Sequence, residues 1–242
     1  MQAIILAAGV SKRLRPLTNS TPKCLLKIGE SNLLHRTIDN ILKNKINEFI
    51  IVTGYRENMI KEYVSENYNN LNIKFLTNPD YENNNNSYSL WMTRNLVKED
   101  VILLDSDILF DEKIITKLLI SPYDNCLAVN VTGNLDEEQI KVSVDDTGKI
   151  LKIGKNVEIE KSIGESVGIE KFSSNFMKEL FVVLDRKIVK EHNVNEFYEV
   201  SFQEIINRSD GNNSIYCVDI SEYKCMEIDT IEDYNNAQNL MI

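Results

Sequence analysis

The sequence predicts an α/β fold with a mostly parallel central sheet and helices on both faces. Two observations carry this. Short apolar runs of strand length alternate with segments whose apolar residues recur every three or four positions. The runs are nearly continuous in apolar residues, as expected of strands buried on both faces. A third observation adds a smaller β-rich portion: after Asp107 the alternation gives way to several strand patterns in succession.

In order, "AIILAA" (3–8), "EFIIVTG" (48–54), "IKFLTN" (73–78) and "VILLDSD" (101–107) read as strands. Between them, "NLLHRTIDNILKNK" (32–45), "NMIKEYVSEN" (58–67) and "SYSLWMTRNL" (87–96) read as helices. A helix near 112–120 is expected next, with Asp111 as its cap. "CLAVNV" (126–131), "IKVSVDD" (140–146), "KILKIG" (149–154) and "SVGIEKFS" (166–173) are strand patterns, with a turn at Asp145-Asp146-Thr147-Gly148. Two helices follow at roughly 174–191 and 196–208, then a strand at 214–221 and a short helix from Ile231. The sequence predicts one domain over 1–242, without repeat or linker.

Composition narrows the function. The chain has 242 residues, 43% hydrophobic, and a net charge of −10. Length and apolar content suffice for one large core, and the acidic balance argues against a nucleic-acid binder. Cys24, Cys126, Cys217 and Cys225 are scattered, with no CxxC, and read as reduced thiols of a cytoplasmic protein. No apolar run approaches the ~20 residues needed to span a bilayer, so no membrane partner is expected.

Against this acidity, the loop after the first strand is basic. "LAAGVSKRLRPLTNSTPKCLLKIG" (6–29) contains Lys12, Arg13, Arg15 and Lys23. Gly9 lets backbone N–H groups face a ligand, and the cations add charge above them. Together they form either a solvated basic loop or a cradle for a polyphosphate. Three further polar stretches fall at strand ends, where ligands bind in open α/β sheets: "NPDYENNNN" (78–86), "DSD" (105–107) and "EIDT" (227–230). Two carboxylates ending an apolar strand are costly unless compensated, and their oxygens suit Mg²⁺. Asp229 has the same setting, although Asp229 or Thr230 also suits a cap for the helix from Ile231.

The long loop resembles the signature of nucleotidyltransferases, L-A-A-G-x-G-x-R-L-x-P-L-T…P-K, and "NNNNSYSLW" is similar to the N-N-x-x-S-L of the choline-phosphate and 2-aminoethylphosphonate cytidylyltransferase branch. The resemblance covers nearly the whole chain. It implies a Rossmann-like three-layer α/β/α fold with a small β-rich acceptor-binding portion. Residues 1–125 would mainly bind nucleotide, and 126–242 would mainly bind acceptor and supply a C-terminal metal ligand. It implies transfer of CMP from CTP to a small phosphorylated amine or phosphonate, with release of pyrophosphate, by a monomer or homodimer.

Residue by residue, the resemblance implies that Leu6, Ala7, Ala8, Gly9, Ser11, Lys12 and Arg13 hold the nucleotide, with Asn85, Asn86 and Ser87 near base or ribose. Lys23 would neutralise charge at the α-phosphate. Asp107 and Asp229 would hold Mg²⁺, with Asp105 behind them. Lys155 and Glu165 would face the acceptor. The family's second loop glycine is Ser11 here, so a positive φ at that position would strain the serine. For the cationic end of an acceptor, aromatic faces and carboxylates are the usual receptors; Tyr88, Trp91, Phe197, Tyr198 and Glu199 are the candidates, Trp91 also having core spacing. His35 and His192 need no role, because the attacking oxygen is already anionic. Two alternatives stay open: a sugar 1-phosphate nucleotidyltransferase using another NTP, and a catalytically silent nucleotide-binding homologue.

Overall fold

The apolar run that opens the chain forms β1 (Gln2–Ala7), with every residue buried. A computed structural model describes residues 1–132, 134–208 and 213–240. After the basic loop, β2 (Lys27–Ile28) and β3 (Ser31–Asn32) form a small antiparallel hairpin. Then come α1 (Leu33–Lys43), β4 (Glu48–Thr53), α2 (Glu57–Asn67), β5 (Asn72–Thr77) and α3 (Asn86–Met92). Next are β6 (Val101–Asp105), β7 (Ile108–Phe110), α4 (Lys113–Ile120), β8 (Cys126–Val131), β9 (Lys141–Val144), β10 (Ile150–Gly154) and β11 (Gly164–Phe172). The chain continues with α5 (Ser174–Asp185), α6 (Glu199–Arg208), β12 (Tyr216–Asp219), β13 (Cys225–Glu227) and α7 (Ile231–Ala237).

The main sheet runs β10-β9-β11-β6-β1-β4-β5, with β8 on β11 and β12 on β8. The four strands β6, β1, β4 and β5 are parallel. β11 turns antiparallel to β6 and leads into the β-rich half. Alternate residues of β1 bury on opposite faces. Ala3 and Ile5 join α1, α2 and α4 in one core, while Ile4 and Leu6 join α3, α5 and α6 in the other. This is the three-layer arrangement. Each fully buried Ile or Leu contributes roughly 1.5–3 kcal/mol of hydrophobic burial. A third cluster joins Leu14 and Leu26 of the basic loop to Leu109 of β7 and to Ile228 and Ala237 near the C-terminus. It is the packing that brings distant polar segments to one place.

Several boundaries differ from the sequence expectation. The strand expected to reach Asp107 ends at Asp105, and Ser106-Asp107 forms a turn. The helix expected from 196 begins at Glu199. That expected over 174–191 is α-helical to Asp185 and closes in a π-helical turn, Arg186–Lys190. The pair β7–β13 is unanticipated; strands of three residues are too short to show a period. The cap position of α4 is Glu112 and not Asp111; Asp111, one residue earlier, accepts from the Lys113 N–H at 2.9 Å. Among the described residues, no helix is long and apolar enough to cross a membrane.

Candidate active site

A cavity of about 290 Å³ opens at the carboxyl ends of β1 and β6. Its floor is the exit of β1: Leu6, Ala7, Ala8 and Gly9 all line it. A Cβ added at Gly9 would meet no atom of the described residues within 4 Å, so the space beside its backbone is open. Ser11 does adopt the left-handed conformation, with φ 52°. Its carbonyl accepts from the Thr18 hydroxyl at 2.9 Å and from the Leu14 N–H at 3.1 Å, and these bonds hold the strained residue. Ser11 and Arg13 line the cavity; Lys12, exposed on the same turn, does not.

At one wall Lys23, only 6% exposed, places its ammonium 2.9 Å from Asp107 and 2.7 Å from Asp229. Burial works against its charge, yet the two carboxylates raise its pKa above the ordinary value. Arg13 also pairs with Asp229. Burial likewise works against the Asp229 carboxylate, and Lys23 and Arg13 hold its pKa below the ordinary value. The helix cap falls to Thr230, whose hydroxyl accepts from the Asp233 N–H in a capping box, so Asp229 is free to face the cleft.

The third acid of this wall is Glu227, which the sequence reasoning missed. Carboxylate oxygens of Asp107, Glu227 and Asp229 lie within 4.8 Å of one another. The β7–β13 pairing sets Glu227 opposite Ile108, and the Ile228 N–H donates to the Asp107 carbonyl at 2.9 Å. Burial, with the like charges of Asp107 and Asp229, pushes Glu227 up to about 8. Three hard oxygens of this kind fit Mg²⁺. The available signal was the spacing E-x-D: Glu227 ends β13 and Asp229 lies two residues beyond it.

The opposite wall is a network of amides. Asn78 Nδ2 donates to Asn84 Oδ1 at 2.7 Å and to Ser89 Oγ at 3.0 Å, and Asn84 Nδ2 returns a bond to Asn78 Oδ1 at 3.1 Å. Asn85 caps α3 and accepts from the Asn86 N–H; Asn86 Oδ1 accepts from the Tyr198 N–H at 2.9 Å. Asn78, Tyr81, Asn84, Asn85, Asn86 and Ser89 line the cavity. Ser87 is buried and does not, because α3 turns it into the protein.

A smaller space of about 150 Å³ adjoins the first and shares Arg13, Asn86, Asp105, Asp107, Phe197, Glu227 and Asp229 with it. Lys155, Glu165 and Glu199 line this second space. Lys155 pairs with Glu138 at 2.9 Å and lies 5.2 Å from the Phe197 ring centre. Glu165 accepts from Gln139 Nε2 at 2.7 Å, and burial pushes it up to about 7. Burial also pushes Glu199 up to about 7, and its Oε2 has no hydrogen-bond partner among the described residues.

Three expected acceptor contacts lie elsewhere. Tyr198 is 0% exposed; its hydroxyl donates to Asp105 Oδ2 at 2.9 Å and reaches Glu170 Oε1 at 3.4 Å. Its ring belongs to the core, against Phe202. Burial and the charges of Asp107 and Glu199 push Asp105 well above the carboxylate range, and the residue lines both spaces. Tyr88 packs at a tilt against Trp91, and Trp91 lies under Arg94 and donates to Asp185 at 3.3 Å. Both rings pack between α3 and α5 and line neither space, because their helical spacing serves the core.

Comparison with known proteins follows the same line. Residues 2–127 match the model of the nucleotidyl transferase family, just over half of the chain. A bifunctional IPC transferase and DIPP synthase of Aquifex aeolicus is 29% identical over 99% of this chain, which spans 51% of that protein. A CTP:phosphoglutamine cytidylyltransferase of Campylobacter jejuni is 28% identical over 96% of this chain and 97% of its own length. The structure of the CTP:phosphocholine cytidylyltransferase of Streptococcus pneumoniae superimposes with a TM-score of 0.80 at 22% identity, covering 98% of this chain and 97% of that one.

Proposed function

This chain belongs to the nucleotidyl transferase family, and on that footing we propose that it transfers CMP from CTP to a small acceptor bearing a phosphate or phosphonate and an amine. The observation that carries the reading is the position of Lys23. A buried ammonium on the wall of the larger cavity is bonded to Asp107 and Asp229, two carboxylates that line both spaces.

In this reading Ala7, Ala8, Gly9, Ser11 and the asparagine wall cradle the nucleoside, and Arg13 faces the triphosphate with Lys12 at the rim. Asp107, Asp229 and Glu227 would hold Mg²⁺, which when bound supplies positive charge to the phosphates. An anionic oxygen of the acceptor attacks the α-phosphorus. The new oxygen–phosphorus bond forms as the bond to pyrophosphate breaks, and pyrophosphate leaves with the electron pair. No base is needed, so the protein contributes positioning and charge. Lys155 would meet the acceptor phosphate. Its amine would lie between the Phe197 ring and the Glu199 carboxylate, in the role expected of Tyr198. The preference for CTP is supported by the N-N-x-x-S-L resemblance and by the Campylobacter relative. Amide side chains present both donors and acceptors to a base edge.

The test is a pyrophosphate-release screen of CTP, UTP, dTTP, ATP and GTP against phosphocholine, 2-aminoethylphosphonate and sugar 1-phosphates. CTP with an amine acceptor should give the highest kcat/KM. Turnover confined to sugar 1-phosphates would replace this reading with the sugar-nucleotide one, and no turnover with any pair would favour a silent nucleotide binder.

A further inference from the structure

Beyond the small acceptor space lies a groove of about 730 Å³ between β10 and the start of α6, roughly five times larger. The two are continuous: Ile140, Lys155, Phe197 and Glu199 line both. Three exposed apolar side chains cluster in the groove wall, among polar neighbours that include Gln203 and Asn207. Leu151 is 48% exposed, Val200 43% and Phe197 39%, and all three face this one groove. At the junction stands Glu199, 6% exposed, with a carboxylate oxygen that no group of the described residues satisfies. A buried unpartnered carboxylate calls for a donor from outside the chain.

We propose that the acceptor is a phosphorylated or phosphonate amine carrying an elongated, partly apolar arm on its nitrogen side. The inference rests on the acceptor reading given above. The phosphate end lies against the larger cavity, the N–H meets Glu199, and the arm runs along Leu151 and Val200. An acceptor as short as aminoethylphosphonate would fill the inner space and leave this apolar wall in water. Covering it with the arm removes the exposed surface and turns the groove into a selector of acceptor length.

The experiment is CMP-transfer kinetics with 2-aminoethylphosphonate and its N-methyl, N-butyl and N-hexyl derivatives. The wild type should gain in kcat/KM with arm length, by up to about fourfold per methylene buried, mainly through KM. Val200→Trp, which fills the groove, should collapse the ratio of hexyl to unsubstituted acceptor toward one. Val182→Trp, at an exposed position outside the groove, should keep the ratio. Turnover of the short acceptor with a flat arm series overturns the inference and leaves the acceptor reading standing. Absence of turnover with every amine overturns both. A Val200→Trp protein whose arm ratio is unchanged but whose oligomeric state by light scattering has shifted makes the groove a contact between copies, and also overturns the inference.

Discussion

Lys23 and Glu199 are both buried charges, and they differ in what compensates them. Lys23 has two carboxylates in contact. Removing it leaves those two acids facing each other, with Arg13 still paired to Asp229, so Lys23→Ala should cost stability as well as activity, by roughly 1–3 kcal/mol for these partly exposed carboxylates. In the proposed reaction its ammonium would stand where charge shifts during transfer. We expect kcat to fall about 10²–10³-fold, with a smaller change in nucleotide KM. A change in KM alone would make Lys23 a ground-state contact only. Glu199 lacks such a partner, and burial pushes it up to about 7. Its folded value lies above its unfolded one, so the folded state holds the extra proton between about pH 4.5 and 7, and stability falls as pH rises through that window. Above pH 7 the ionised carboxylate costs roughly 3 kcal/mol at most. Glu199→Gln should therefore be the more stable protein at pH 8 and about equal to the wild type near pH 4.5, by denaturant unfolding. It should also lose the drop in KM for a cationic acceptor that the wild type shows as pH passes 7. Equal pH profiles for the two proteins would remove Glu199 from the acceptor site.

The elements that place these residues were unequally legible. β1 and β6 could be read because a continuous apolar run ending in Gly9 or in Asp105 leaves few other structures. The acids at 105–107 drew attention for a physical reason: carboxylates at the end of a buried strand need compensation. Glu227 was missed because its strand is three residues long and pairs with another just as short, so neither shows a period. Tyr88 and Trp91 misled because an aromatic on α3 follows the same 3.6-residue spacing whether it meets a ligand or the core. Tyr198 misled by one position: it and Phe197 are adjacent, and the entry into α6 turns one ring inward and leaves the other at the cavity. Ser11 is the case where the sequence signal was physical and held, since the position does take positive φ. The strain of a non-glycine residue there is of order 1–3 kcal/mol, partly offset by the lower unfolded-state entropy of serine. Ser11→Gly should thus raise stability by up to about 1 kcal/mol, read as a higher denaturant midpoint at constant slope. A lower midpoint would mean that the hydroxyl contributes more to the loop than its backbone costs.

At the scale of the whole molecule, the proposed nucleotide site is a clasp between chain segments that are far apart in sequence. The exit of β1, the loop to Lys23, the turn after β6 and the segment from Glu227 to Asp229 all meet at one cavity. Their hydrophobic support is the small cluster shared by the basic loop, β7 and α7. Anything bound there touches both ends of the fold at once and cannot bind to the unfolded chain in the same way. Ligand binding should therefore appear as global stability, increasing as RT ln(1 + [L]/Kd), about 2.7 kcal/mol at a hundredfold excess over Kd. The acidic wall sets the condition for this. A triphosphate brings negative charge toward Asp107, Glu227 and Asp229, and Lys23 and Arg13 are already engaged with those acids. Mg²⁺ should thus be required for most of the effect. The measurement is thermal unfolding with CTP, ATP or no nucleotide, each with Mg²⁺ or with EDTA, in the wild type and in Asp229→Asn. The wild type should show its largest rise in Tm with CTP and Mg²⁺, a smaller one with ATP, and little with EDTA. Asp229→Asn should lose most of the Mg²⁺-dependent part. An equal rise for CTP with and without the metal would show that the three carboxylates play no part in holding the nucleotide, and would refute their assignment as metal ligands.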